Sequence, residues 1–81
     1  MDYVVFKQWL QDEKNMSIRS ATDVVSRCKR VNRMTDMDKI DDKTVEILVE
    51  TESYADMSSF IKSQLKRAAT LYMEFCKKEV Q

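Results

Sequence analysis

The chain has 81 residues, with 14 basic and 14 acidic side chains and with no histidine, glycine or proline. The lack of glycine excludes a glycine-rich phosphate loop or dinucleotide fingerprint, and the lack of histidine excludes Ser–His and Cys–His catalytic pairs. Strand-rich folds draw on glycine and proline for their tight turns. We therefore expect one small all-α domain over residues 1–81, a compact four-helix bundle.

Charge is distributed unevenly along the chain, although the formal net charge is zero. Residues 1–16 sum to −1, residues 17–34 to +4, residues 35–56 to −6 and residues 57–81 to +3. Such segregation bears on the choice of partner more than the total charge does. No apolar run approaches the roughly 18 residues of a membrane span, and no secretory signal is evident, so we expect a cytoplasmic protein.

The first helix is expected near residues 3–13, with Phe6, Trp9 and Leu10 on one side. Its cap would be Asp2, because Met1 and Phe6 flank that residue in the spacing of a hydrophobic staple.

The second helix is predicted over residues 18 to about 34, with Ser17 as N-cap and Met16 and Ala21 as the staple. Its apolar stripe recurs at steps of three and four residues: Ala21, Val24, Val25, Cys28 and Val31. A polar, acidic connection over residues 35–42 follows it.

The third helix is expected near residues 42–53, capped by Asp41 and turning Val45, Leu48 and Val49 inward. Residues 44–49 are rich in β-branched side chains and are also compatible with a strand. Because no second strand is available to pair with them, we interpret them as helical.

The fourth helix is predicted over residues 59 to about 78, with Asp56 as cap and Ser58 or Ser59 as the alternatives. Its stripe comprises Ile61, Leu65, Ala68, Tyr72 and Phe75. The aromatic core is expected to contain Phe6, Trp9, Phe60, Tyr72 and Phe75.

Cysteines and carboxylates offer little chemistry. Cys28 and Cys76 lie on or near apolar stripes, which favours two reduced core thiols over a disulfide. The acidic middle segment lacks the glycine and the register of a calcium-binding loop, so it is interpreted as a solvated loop with a helix cap. We expect no metal, no cofactor and no catalysis by this chain.

Basic side chains on the second and fourth helices are the remaining functional pattern. They are Arg19, Arg27, Lys29, Arg30, Arg33, Lys62, Lys66 and Arg67. Ser20, Thr22 and Ser26 add hydroxyl donors suited to phosphate oxygens, and Asp23 can pair with Arg27 at four-residue spacing. The alternative is that these are only solvated helix faces.

The basic segments resemble a known family. SIRSAT at residues 17–22, followed by VVSRCKRV at 24–31, is similar to the second helix of core-binding domains of tyrosine recombinases and phage integrases. FKQWL at residues 6–10 is similar to their opening helix. SSFIKSQLKRA at residues 58–68, with Tyr72 and Phe75, resembles their final helix.

The resemblance implies a SAM-like domain that straddles duplex DNA opposite a catalytic domain. The second-helix basic residues and Lys62, Lys66 and Arg67 would then contact phosphates or base edges, through about five to seven phosphate contacts in all. The catalytic domain of that family, with its tyrosine nucleophile, is absent from this sequence, so no DNA cleavage is expected of it. The resemblance then implies either a fragment of a longer recombinase or a stand-alone relative, with a catalytic recombinase domain or another protein as the possible partner.

The sequence also departs from that family in being neutral overall, with a strongly acidic third segment. This departure supports an alternative function as a protein–protein interaction module or self-associating bundle. In that case the acidic segment of one copy would meet the basic helices of another.

Overall fold

A computed structural model describes residues 3–80 of the chain, and the side chains of residues 3–78. Over that range the chain forms five α-helices and no strand: α1 (Tyr3–Glu13), α2 (Ile18–Thr35), α3 (Asp42–Glu50), α4 (Glu52–Ala55) and α5 (Ser59–Val80). The all-α class is confirmed, as is the helical interpretation of residues 44–49. The predicted cap at Asp2 lies outside the described residues.

α2 is the central helix, since it packs against α1, α3 and α5. The core is built from the predicted stripes: Phe6, Leu10, Ala21, Val24, Val25, Cys28, Val31, Leu48, Leu65, Ala68, Tyr72 and Phe75 are all buried. Phe6 lies at the middle of the aromatic cluster, with ring centroids 4.9 Å from Tyr72 and 5.3 Å from Phe75. Trp9 lies at the edge of this cluster, where it is half-buried, and its ring centroid is 5.6 Å from that of Phe75.

Helix starts follow the side-chain caps. The Ser17 Oγ atom accepts a hydrogen bond from the Ser20 amide at 3.1 Å. Asp41 and Thr44 form a capping box, in which the Asp41 carboxylate accepts from the Thr44 amide and the Thr44 hydroxyl accepts from the Asp41 amide. These bonds satisfy amides that have no partner within the helix.

The residues that follow α1 and α2 adopt the left-handed backbone region although neither is a glycine. Asn15 follows α1 with φ of 53°, and Asp36 follows α2 with φ of 55°. Asn and Asp adopt this region more readily than other non-glycine residues. The Met16 amide then donates back to the Leu10 carbonyl, which closes the end of α1.

The prediction of four helices is wrong, because the third predicted helix is broken at Thr51. The Thr51 backbone is extended, its hydroxyl donates to the Leu48 carbonyl at 2.8 Å, and its oxygen accepts from the Tyr54 amide at 3.2 Å. One threonine therefore ends α3 and caps α4. The break turns Tyr54 into the core, where it is buried.

Two residues predicted for the core lie at the surface. Phe60 is 71% exposed and Val49 is 40% exposed. Phe60 precedes the inward-facing Ile61 and is therefore about 100° away from it around the helix. The cap of α5 is also Ser58 rather than Asp56, since the Ser58 Oγ atom accepts from the Ile61 amide at 3.3 Å.

Candidate nucleic-acid interface

A groove between α2 and α5 brings together basic residues from the two segments. Cys28 and Ala68 make the contact beneath it, where the Cys28 thiol donates to the Ala68 carbonyl at 3.4 Å. Arg27 and Arg67 each precede one of these two core residues, and both arginines line the groove. The groove encloses about 500 Å³.

We call this feature the arginine groove. The side chains that line it and carry the argument below are Ser20, Asp23, Arg27, Phe60, Gln64 and Arg67.

Among the described side chains, neither groove arginine is neutralised by a direct ion pair. Within the described side chains the ion pairs join Lys14 to Glu74 at 2.8 Å and Lys39 to Asp41 at 3.6 Å. The predicted pair between Asp23 and Arg27 is not formed there, although both side chains line the groove. The guanidinium groups therefore keep their hydrogen-bond donors for an external acceptor.

The other predicted lysine contacts lie elsewhere. The Lys29 Nζ atom is 5.6 Å from the centroid of the Tyr3 ring, and Lys29 faces a smaller cleft of about 240 Å³ between α1 and α2. Lys7 lines the same cleft together with Thr22 and Ser26. Lys7 was not predicted as a site residue, and its position depends on how α1 packs on α2.

The basic residues of α5 point to different sides. The Lys62 Nζ atom is 5.4 Å from the centroid of the Tyr54 ring on α4, whereas Arg67 faces α2. Lys66 is exposed and lies about 100° around the helix from Arg67. The three α5 residues do not form one surface.

Arg33 lies beside carboxylates rather than beside the groove. It lines a broad cleft with Asp36 and Asp38 at the end of α2. Arg19 and Arg30 are exposed, and the helical repeat places both within about 80° of Arg27. The structure thus brings Arg27 and Arg67 together, keeps Arg19 and Arg30 on the same side of α2, and separates the rest.

The predicted hydroxyl donors differ in availability. The Thr22 hydroxyl donates to the Ile18 carbonyl at 2.8 Å, so its hydrogen is already used. The Ser20 hydroxyl accepts from the Ser17 hydroxyl at 3.2 Å and retains its own hydrogen. Ser20 lines the arginine groove and can donate to a phosphate there.

The remaining polar chemistry is structural. Both cysteines are free thiols, and burial raises the pKa of the Cys28 thiol to about 12. Burial also raises the pKa of Tyr3, whose hydroxyl donates to the Asn32 side-chain carbonyl. Among the described residues no group of three or more Cys, Asp or Glu side chains is placed to hold a metal ion.

Phe60 is the groove residue whose position the sequence argument missed. Phe60 is offset from the Ile61–Leu65–Ala68 stripe in the sequence, and this offset is the signal that indicates its exposed position.

No helix in the described part of the chain is long and apolar enough to cross a membrane. Searches against protein-family models, curated proteins and solved structures found no match to this chain.

Proposed function

We propose that this protein is a DNA-binding helical module that holds duplex DNA through the arginines of α2 and α5. The observation that carries the proposal is the arginine groove, which Arg27 and Arg67 line together without an ion-pair partner among residues 3–78. Guanidinium groups bind phosphate oxygens in a bidentate geometry, as they also bind carboxylates. Ser20 supplies a further donor at the same surface.

Charge segregation supports the same surface. Residues 17–34 carry five basic side chains and one acidic side chain, whereas residues 35–56 carry two basic and eight acidic ones. A neutral protein attracts a polyanion through such a local field rather than through its total charge. Arg19 and Arg30 extend the positive side of α2 beyond the groove.

The finer part of the proposal is a SAM-like core-binding domain of the tyrosine recombinase type, without catalysis of its own. The central position of α2 between α1 and α5 is compatible with that type, and the short α4 is an addition to the four expected helices. In this proposal Lys29, Arg33, Lys62 and Lys66 make outer contacts, or contacts shared with a partner catalytic domain. The free thiols accord with a cytoplasmic location.

Binding of a labelled duplex at low salt, followed by fluorescence anisotropy, tests the proposal. We expect the logarithm of the association constant to fall linearly with the logarithm of the salt concentration, by about 0.9 for each phosphate contacted. No binding at high micromolar protein and low salt would overturn the proposal.

A self-associating bundle is the second candidate function. Asp42, Glu46 and Glu50 are all exposed and recur every four residues along α3, so they form an acidic row. That row is complementary in charge to the arginine groove of another copy. Sedimentation at several protein and salt concentrations tests this candidate, since a monomer throughout would exclude it.

A further inference from the structure

Phe60 gives the arginine groove an aromatic surface that DNA backbone contacts do not need. The ring is 71% exposed at the first turn of α5 and lines the groove with Gln64 and Arg67. These three residues are four and then three positions apart, so they form one row along the helix. Arg27 and Ser20 face this row from α2.

The chemistry of this row matches the parts of a nucleotide. Exposed apolar side chains are common when single, but this ring lines the same groove as two guanidinium groups that have no ion-pair partner among the described side chains. An aromatic ring stacks on the face of any base, arginines contact the flanking phosphates, and a Gln amide can bond to base edges. Asp23 repels phosphate, so the phosphates are expected at Arg27 and Arg67 rather than beside Asp23.

Stacking on Phe60 requires a base with an exposed face, and this requirement distinguishes unpaired from paired nucleic acid. Both faces of a base inside a duplex are covered by its neighbours, and exposing one costs a few kcal/mol. An unpaired base offers its face at a much lower cost. The groove volume of about 500 Å³ also lies within the range of about 300–1,000 Å³ typical of sites for small organic groups.

We propose that the arginine groove binds an unpaired stretch of nucleic acid, with one base stacked on Phe60 and its phosphates on Arg27 and Arg67. This inference rests on the proposed function, because it assigns the strand state recognised at the same groove. It predicts that DNA carrying a single-stranded segment binds more tightly than fully paired DNA.

The test compares a labelled single strand with the blunt duplex of the same sequence, using the full chain and fluorescence anisotropy. Phe60→Ala should weaken single-strand binding by about 5- to 150-fold, the range measured for base–aromatic stacking, and leave duplex binding unchanged. Phe60→Trp should retain single-strand affinity, because it keeps an aromatic face. Ile18→Ala is the matched control, since Ile18 is 65% exposed and does not line the groove.

The outcomes separate this inference from the proposed function. Failure of both nucleic acids to bind would overturn both. Tight duplex binding, together with no effect of Phe60→Ala on single-strand binding, would overturn the inference alone. An equal loss on the two substrates would indicate a wedge inserted into paired DNA and would also overturn the unpaired-strand assignment. If a poly-glutamate peptide binds as tightly as the single strand and loses as much affinity in Phe60→Ala, the groove is a peptide site instead.

Discussion

Replacement of the two groove arginines tests where DNA binds. Each phosphate contact contributes about 0.9 to the slope of log K against log salt, so Arg27→Gln combined with Arg67→Gln should lower that slope by about 1.8. If the parent and the double variant bind equally at about 1 M salt, this difference in slope makes the variant bind roughly 60-fold more weakly at about 0.1 M. Neither arginine forms an ion pair within the part of the chain that the structure describes, so the free energy of unfolding should change by less than about 0.5 kcal/mol.

The matched control is Lys43→Gln combined with Lys78→Gln. It removes the same charge from two exposed lysines, on α3 and α5, that are not among the proposed DNA contacts. The assay is duplex anisotropy between about 50 and 200 mM salt, the range in which counterion release dominates. We expect a much smaller change in slope for the lysine pair. Equal changes for the two pairs, or no change for the arginine pair, would refute the assignment of DNA binding to the groove.

Three further predictions concern the fold. Burial raises the pKa of Cys28 to about 12 and so keeps its thiol protonated. A thiol reagent near pH 8 should therefore modify the half-buried Cys76 first and Cys28 only after unfolding. Peptide mass spectrometry measures the order of labelling. Hydrogen bonds from Thr44 lower the pKa of Asp41 below its ordinary 3.8. The ionised carboxylate therefore stabilises the fold above that pH, and this stabilisation is lost as the pH falls through the folded-state pKa. Denaturation midpoints should show the loss relative to Asp41→Asn, which keeps the cap but does not titrate. Phe6→Ala should lower the free energy of unfolding by about 3–5 kcal/mol, whereas Phe60→Ala should change it by less than about 0.5 kcal/mol, since that ring is exposed.

Each of these fold predictions has an outcome that would contradict it. Equal labelling of both thiols in the native protein would mean that Cys28 is accessible. Parallel acid profiles for the parent and Asp41→Asn would mean that the cap does not perturb the carboxyl group. Comparable destabilisation by the two phenylalanine substitutions would place Phe60 in the core.

Local features in the sequence were sufficient for most helix boundaries. α1 spans Tyr3–Glu13 as predicted, and α2 begins after its predicted cap at Ser17 and ends one residue beyond the predicted end. Caps and periodicity act over three or four residues, so they are readable without knowledge of the tertiary contacts.

The break at Thr51 shows where local features compete. Residues 42–53 can be read as one helix, yet the Thr51 side chain bonds to both α3 and α4. The choice between a continuous and a broken helix depended on burying Tyr54. The burial of Tyr54 depends on tertiary packing, which the local sequence pattern does not reveal.

The sequence by itself determined which side of each helix is apolar and which residues are basic, because a 3.6-residue repeat assigns every side chain to a face. It could not determine which flanks of two helices meet. Only the packing of α2 on α5 at Cys28 and Ala68 placed Arg27 beside Arg67 and turned Lys62 toward α4. The physical reason is that the rotation of one helix against another is set by close packing between residues 40 positions apart.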